Sequence, residues 1–129
     1  MSGILAEIEK LIEPGAVIPK PQARRDFVVK GWGKRRGERA LVYTIPNHKN
    51  PERPYQKGIT IGEWTIAFER LMAAGEFSRS WFQDAMPACA KERGCNFTTI
   101  GGVFELLGHA VYDRGVYRKN QVEQRPRQE

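Results

Sequence analysis

The spacing of apolar residues changes at Thr60, and this change constrains the fold of the 129-residue chain more than any other feature. Before Thr60, residues 27–29 and 40–45 are rich in β-branched and aromatic side chains, which predicts two strands. After it, apolar residues recur three and four positions apart, as they do along one face of a helix. We therefore expect an α+β fold with a strand-rich first half and a helical second half.

Two amphipathic helices are predicted directly after this change. Thr60 and Glu63 have the spacing of a capping box at the start of the first helix. Gly75 is placed where that helix should end, since glycine adopts the left-handed conformation of a helix C-terminus without strain. Ser78 can cap the second helix, which Pro87 either bends or divides in two.

A third helix and a β-ribbon complete the helical half. We expect this helix to begin at Thr98 and to end at Gly108, and residues 110–118 to form two short strands. The order over residues 60–118, most clearly in NFTTIGGVFELLGHAVYDRGVYR, resembles that of a winged helix-turn-helix domain. The resemblance implies a winged-helix-like three-helix core with a C-terminal β-ribbon, whose third helix enters the major groove of DNA. It also implies that the DNA-facing residues are Asn96, Thr98, Thr99, Gly102, Arg114 and Arg118.

The composition of the third helix departs from that of a typical base-reading helix. From Thr98 onward it has none of the Arg, Lys, Gln or Asn side chains that bind base edges. Gly101 and Gly102 each cost up to about 1 kcal/mol relative to alanine, so a compensating role is expected. Either they bring backbone close to a phosphate, with the Thr98 and Thr99 hydroxyls donating, or they pack closely against the helix of Trp64. If the resemblance holds, this helix positions the protein on DNA more than it reads the base sequence.

Basic charge is concentrated in the first half of the chain, whose formal net charge is +6. Residues 1–60 hold twelve Lys and Arg against six Asp and Glu, and residues 61–110 hold four against six. The remaining residues, 111–129, hold five against three. An excess of this kind either serves solubility alone or indicates a polyanionic partner, most often nucleic acid.

A hairpin over residues 27–45 with a long basic tip is the main candidate for phosphate contacts, although an ordinary solvated turn has the same composition. Trp32 in this hairpin either stacks on an unpaired base or faces the core as a strand residue. The following loop, residues 47–58, adds Lys49 and Arg53, and it either follows a groove as an arm or simply connects the hairpin to the helices. The basic residues of the hairpin are Lys30, Lys34, Arg35, Arg36 and Arg39.

The two ends of the chain lie outside the predicted α+β domain, residues 26–118. Residues 1–13 predict a short amphipathic helix, which packs either on this domain or on a second copy of the chain as a homodimer. Residues 119–129 have no apolar periodicity and predict a disordered tail. The apolar stripe of the first helix consists of Ile4, Leu5, Ile8, Leu11 and Ile12.

We expect a protein that is not an enzyme and needs no cofactor or metal. The two cysteines, Cys89 and Cys95, and the two histidines, His48 and His109, are not spaced as zinc ligands, and we expect free thiols. The sequence has no phosphate-binding loop, no nucleophile elbow, and no acid followed two positions later by lysine. The longest uncharged stretch has eleven residues, too few to span a membrane, and a cytoplasmic location is expected.

These observations leave two functions from different classes. The first is a small DNA-binding protein, a regulator or accessory factor, which binds duplex DNA mainly through its phosphates. The second is a protein-interaction module, such as an accessory or inhibitor protein of a mobile element, which does not bind nucleic acid. Such a module would use an apolar groove or the acidic helical face formed by Glu63, Glu69, Glu76 and Glu105.

Overall fold

Two antiparallel sheets and five helices form the part of the chain that the computed structural model describes, residues 3–22 and 26–120. The predicted α+β class is confirmed. The larger sheet has the strand order β1-β2-β3-β4, and the smaller one has the order β5-β7-β6. In chain order the elements are α1 (Gly3–Leu11), β1 (Val17–Ile18), β2 (Phe27–Arg35), β3 (Glu38–Ile45), β4 (Tyr55–Thr60), α2 (Ile61–Ala74), β5 (Glu76–Ser78), α3 (Arg79–Ala85), α4 (Pro87–Glu92), α5 (Asn96–Leu106), β6 (Ala110–Asp113) and β7 (Val116–Lys119).

The hairpin is confirmed, but its long basic tip is wrong. Strands β2 and β3 continue to a turn of two residues, Arg36 and Gly37, whose φ angles are 49° and 78°. Positive φ at both positions is the pattern of a type I′ turn, which matches the twist of the flanking strands. Residues expected in a loop are therefore paired within the sheet, as Lys34 is with Arg39.

The structure contains two strands of the larger sheet that the sequence did not predict. Strand β4 pairs with β3 from Tyr55 onward, so the predicted loop over residues 47–58 is wrong in its last four residues. Strand β1 pairs Val17 and Ile18 with the beginning of β2, in a proline-containing segment for which no strand was predicted. Both strands are stabilised by pairing with a neighbouring strand, and local sequence patterns do not indicate such pairing.

The helix boundaries of the second half largely follow the predicted signals. The Thr60 hydroxyl accepts a hydrogen bond from the Glu63 amide at 3.1 Å, and the Glu63 carboxylate accepts one from the Thr60 amide at 2.9 Å, which completes the capping box. Gly75 ends α2 with φ of 80°. Pro87 divides the second predicted helix into α3 and α4. Helix α5 begins at Asn96, two residues before its predicted start.

The N-terminal helix packs against its own chain. Ile4, Ile8 and Ile12 are buried in the same core as the two sheets and α5, whereas Leu11 is 58% exposed. Because three residues of the five-residue stripe are already buried within the chain, the predicted homodimer contact through this stripe is wrong for those three.

Helix α5 lies at the centre of the core, and its two glycines allow close packing. A Cβ at Gly101 would overlap the ring of Tyr117, and one at Gly102 would overlap the carbonyl oxygen of Pro19 and the side chain of Ile18. The expectation of close packing is therefore confirmed, but its partners are β7 and the segment after β1 rather than the helix of Trp64.

The structure describes the first two residues of the predicted disordered tail, residues 119 and 120. Lys119 belongs to β7, and the Asn120 amide donates to the His109 carbonyl at 2.8 Å, so the prediction of disorder is wrong for both. The rest of that tail, residues 121–129, and the first two residues of the predicted N-terminal helix lie outside the described residues. Among the described helices, none has both the length and the apolar character needed to cross a membrane.

Candidate nucleic-acid interface

The two arginines at the β2–β3 turn bind acidic side chains of the same chain. Arg36 donates to both carboxylate oxygens of Glu63, at 2.7 and 2.9 Å, to the Gly58 carbonyl at 2.8 Å, and to Glu92. The Arg35 guanidinium lies 3.4 Å from the second carboxylate oxygen of Glu92. These contacts fasten the turn to the beginning of α2 and the end of α4.

The pKa values of the paired groups show the strength of this attachment. Burial would lower the pKa of Arg36, but its hydrogen bonds with Glu63 and Glu92 outweigh burial and raise that pKa. Burial would likewise raise the pKa of Glu63, and the hydrogen bonds from Arg36 and the Thr60 amide outweigh it and lower that pKa. Much of the charge expected to bind phosphate at the turn is therefore already neutralised.

Trp32 is not positioned to stack on a base. It pairs with the buried Leu41 across the hairpin and packs against the core. The guanidinium of Arg39 lies 4.1 Å from the centre of its ring and also pairs with Glu9 of α1. The expectation of an inward-facing strand residue is therefore confirmed, and base stacking by Trp32 is wrong.

The two arginines of the β6–β7 ribbon share one carboxylate. Asp113 accepts from Arg114 at 2.9 Å and from Arg118 at 3.1 Å, and Arg118 also binds Glu76 at 3.0 Å. Hydrogen bonds from Arg114 first and Arg118 second lower the pKa of Asp113. Arg114 stands at the tip of the ribbon with 89% of its side chain exposed, so a ligand can still reach it.

The four remaining predicted cations form no ion pair with any carboxylate that the structure describes, and all four are exposed. We refer to them as the unpaired sheet cations: Lys30, Lys34, Lys49 and Arg53.

The unpaired sheet cations extend along the hairpin and its neighbouring loop. Lys30 donates a hydrogen bond to the Gln56 side chain at 3.1 Å. This pair lies near the end of the sheet where β3 leads into the β3–β4 loop, and that loop contains Lys49 and Arg53. Lys34 lies toward the opposite end, beside the turn. A groove of about 220 Å³ is lined by Lys30, Gln56 and the side of the hairpin. The sequence did not single out Gln56, because nothing local indicates that β4 brings it beside Lys30.

The first turn of α5 is enclosed and cannot read bases. Thr99 is 1% exposed, and the Lys20 ammonium donates to the Thr98 and Thr99 hydroxyls at 2.8 and 2.7 Å and to the Cys95 carbonyl at 3.0 Å. Asn96 is fully buried, accepts from the Tyr43 hydroxyl at 2.5 Å and donates to a carbonyl of α4. The DNA-facing roles that the resemblance implied for Asn96, Thr99 and Gly102 are therefore wrong because all three are buried, whereas Thr98 is half-buried.

Lys20 is the charged residue whose importance the sequence did not indicate. It lies in a segment with three prolines, and no periodicity places it beside α5. Burial is the main cause that lowers the pKa of Lys20 to about 7, with Cys95 acting in the opposite direction and Arg79 adding to the lowering.

The low pKa of Lys20 predicts that the protein becomes more stable as pH rises above neutrality. Between pH 7 and the ordinary lysine value of about 10.4, the unfolded chain retains a proton that the folded chain has released. The free energy of unfolding should therefore rise by about 1.5 kcal/mol from pH 7 to pH 8.5. Urea unfolding at several pH values measures this rise. The substitution Lys20→Met should remove it, and an equal rise in both proteins would contradict the assignment.

The described residues contain no metal site, and the chain matches no known protein. Within residues 3–22 and 26–120, no three His, Cys, Asp or Glu side chains gather where they could bind a metal ion. Burial raises the pKa of the Cys89 thiol, so Cys89 is an unreactive core residue. Comparison of the chain with protein-family models, curated proteins and solved structures gave no match.

Proposed function

We propose that the protein binds nucleic acid, duplex DNA in particular, through its phosphates, and acts as a non-enzymatic regulator or accessory factor. The observation that carries this proposal is the set of unpaired sheet cations on a chain of net charge +6. Exposed cations without a carboxylate partner are free to displace the counterions condensed on DNA, and this displacement drives binding.

The arrangement of the second half supports a winged-helix-like domain over residues 60–118. Helix α2, strand β5, helices α3, α4 and α5 and the β6–β7 ribbon follow one another, and β5 pairs with β7 to give a three-stranded sheet. In this proposal α5 holds the domain together, while phosphate contacts come from the unpaired sheet cations. Such contacts carry no direct sequence information, so little discrimination between DNA sequences is expected.

A protein-interaction module is the second candidate, and exposed apolar side chains favour it. Leu11, Ile66, Leu106 and Val111 are each between 44% and 58% exposed. An interface through the acidic helical face has less support, because three of its four expected carboxylates already bind groups of the same chain. Glu63 binds Arg36, Glu76 binds Arg118, and Glu105 accepts from the Tyr112 amide at 2.8 Å.

Neutralising two unpaired sheet cations tests the proposal against a control with the same charge. The variant Lys30→Gln/Lys49→Gln should bind a labelled duplex about tenfold more weakly at constant salt, because it loses two phosphate contacts. The matched variant Lys10→Gln/Lys91→Gln removes two exposed charges from α1 and α4 and should change affinity less than threefold. Fluorescence anisotropy measures both. Equal losses in the two variants contradict the proposed surface, and a wild-type protein that binds no duplex favours the protein-interaction module.

A further inference from the structure

A pocket of about 280 Å³ lies between the two halves of the protein, apart from the unpaired sheet cations. It is bounded by residues 20–22 after β1, the beginnings of β2, α3 and α5, and strand β6. Its volume is close to the lower end, roughly 300 Å³, of pockets that hold small organic ligands. Its principal lining residues are Lys20, Gln22, Phe27, Arg79, Thr98 and Tyr112.

Two of these side chains carry positive charge that no described carboxylate neutralises. The Lys20 ammonium is bound to hydroxyl and carbonyl oxygens of α5 and lies 4.3 Å from the centre of the Phe27 ring. Arg79 donates to the Gly94 carbonyl at 3.1 Å, and its guanidinium lies 4.7 Å from the centre of the Phe97 ring. Lys20 and Arg79 lie close enough to repel each other, since Arg79 contributes to lowering the pKa of Lys20.

The surroundings of Lys20 and Arg79 add to the positive potential instead of offsetting it. Lys20 lies at the N-terminus of α5, an eleven-residue helix whose dipole places partial positive charge there. A half-buried cation such as Lys20, beside the exposed Arg79 and without a counter-charge, destabilises a folded protein. An anionic ligand in the pocket would remove this cost, and the removal would make its binding free energy more favourable.

We propose that this pocket binds a phosphate monoester. The ligand carries about two negative charges near neutral pH, which matches Arg79 and the protonated form of Lys20. Its oxygens can accept two parallel hydrogen bonds from the Arg79 guanidinium. The Lys20 ammonium, whose three N–H groups already bind oxygens of Cys95, Thr98 and Thr99, attracts the phosphate through its charge. Phe27 and Tyr112 form an aromatic wall for the organic part of the ligand.

The phosphate monoester has two possible sources, a free nucleotide or the terminal phosphate of a nucleic-acid strand. The chemistry at Lys20 and Arg79 is the same for both. The proposal does not depend on duplex binding by the unpaired sheet cations, because none of those cations lines the pocket.

Two matched ligand pairs test the pocket in the full-length protein. Isothermal titration calorimetry would compare adenosine 5′-monophosphate with adenosine, and a short single strand bearing a 5′-phosphate with the same strand bearing a 5′-hydroxyl. In at least one pair, the phosphorylated ligand should bind at least tenfold more tightly. A preference in the first pair alone identifies a free nucleotide, one in the second alone identifies a strand end, and either supports the proposal. No preference in either pair overturns it.

Three variants separate the pocket from general charge effects. Lys20→Met and Arg79→Met should each reduce the preference to less than twofold, while Lys30→Met, outside the pocket, should retain it. Should a cation variant fail to fold, Thr98→Val removes one of the oxygens that hold the Lys20 ammonium in place and should weaken the preference severalfold. A preference that survives in folded Lys20→Met and Arg79→Met protein overturns the proposal. If the protein does not bind duplex DNA but still prefers the phosphorylated ligands, the proposed DNA-binding function is rejected and the proposed pocket is not.

Discussion

The substitution Ile8→Ala is expected to lower the free energy of unfolding by about 3 to 4 kcal/mol, the largest effect predicted for a single residue of this protein. Ile8 is fully buried in the core cluster that also contains residues of both sheets and of α5. Removing its side chain loses the transfer free energy of three carbon atoms and leaves a cavity that rigid neighbours cannot fill. Urea unfolding followed by circular dichroism measures the change.

Leu11→Ala on the same helix is the matched control. Leu11 is 58% exposed, so its truncation should change the free energy of unfolding by less than about 0.5 kcal/mol. Similar small losses at both positions would show that α1 does not belong to the core. A loss at Ile8 that depends on protein concentration would show that α1 instead packs on a second copy of the chain.

Gly101→Ala is expected to destabilise the protein by about 2 kcal/mol, although alanine is the better helix former. The change gains up to about 1 kcal/mol in helix propensity. The added methyl group would overlap the ring of Tyr117, which is fully buried and held among other aromatic rings, and overpacking of this kind costs about 3 kcal/mol. The clash therefore outweighs the propensity.

Gly3→Ala gives the reference for the propensity effect without the clash. Apart from its chain neighbours and the backbone of α1, no described atom lies within 4 Å of a Cβ at Gly3, in the first turn of α1. This variant should therefore be as stable as the wild type or more stable by up to about 1 kcal/mol. Thermal unfolding of the two variants compares them directly. A Gly101→Ala protein as stable as Gly3→Ala would contradict the close packing of α5 against β7.

The helical half was predictable because its signals are local. The reciprocal hydrogen bonds of Thr60 and Glu63 span three residues, and Ser78 accepts from the amide of Trp81 three positions later. The ribbon turn at residues 113–115 depends on Arg114 and the glycine after it, whose φ angles are 49° and 92°. In each case, neighbouring residues in the chain determine the conformation.

The larger sheet was only partly predictable because its edges depend on distant partners. Strand β1 has two residues and lies between prolines, and it exists because Val17 and Ile18 pair with residues eleven and nine positions away. Strand β4 begins in a polar, proline-containing sequence and is fixed by its register with β3, such as Ile45 opposite Tyr55. Pairing of this kind follows from tertiary structure.

The charge of the candidate interface was predictable, but its neutralisation was not. Arg36 binds Glu63 and Glu92, which lie 27 and 56 positions along the chain, and no local pattern connects them. For the same reason Lys20 could not be identified from the sequence, since its hydroxyl partners on α5 lie nearly eighty positions away. Only the tertiary structure separates the paired arginines from the unpaired sheet cations.

The salt dependence of duplex binding by the wild-type protein tests the central claim most directly. Four phosphate contacts, one for each unpaired sheet cation, predict a slope of about −3.6 for log affinity against log salt. Affinity should therefore fall roughly a hundredfold between about 50 and 200 mM salt, and the slope should decrease by about 2 in Lys30→Gln/Lys49→Gln. A slope near zero, or no binding to duplex at the lower salt concentration, would contradict binding through phosphates.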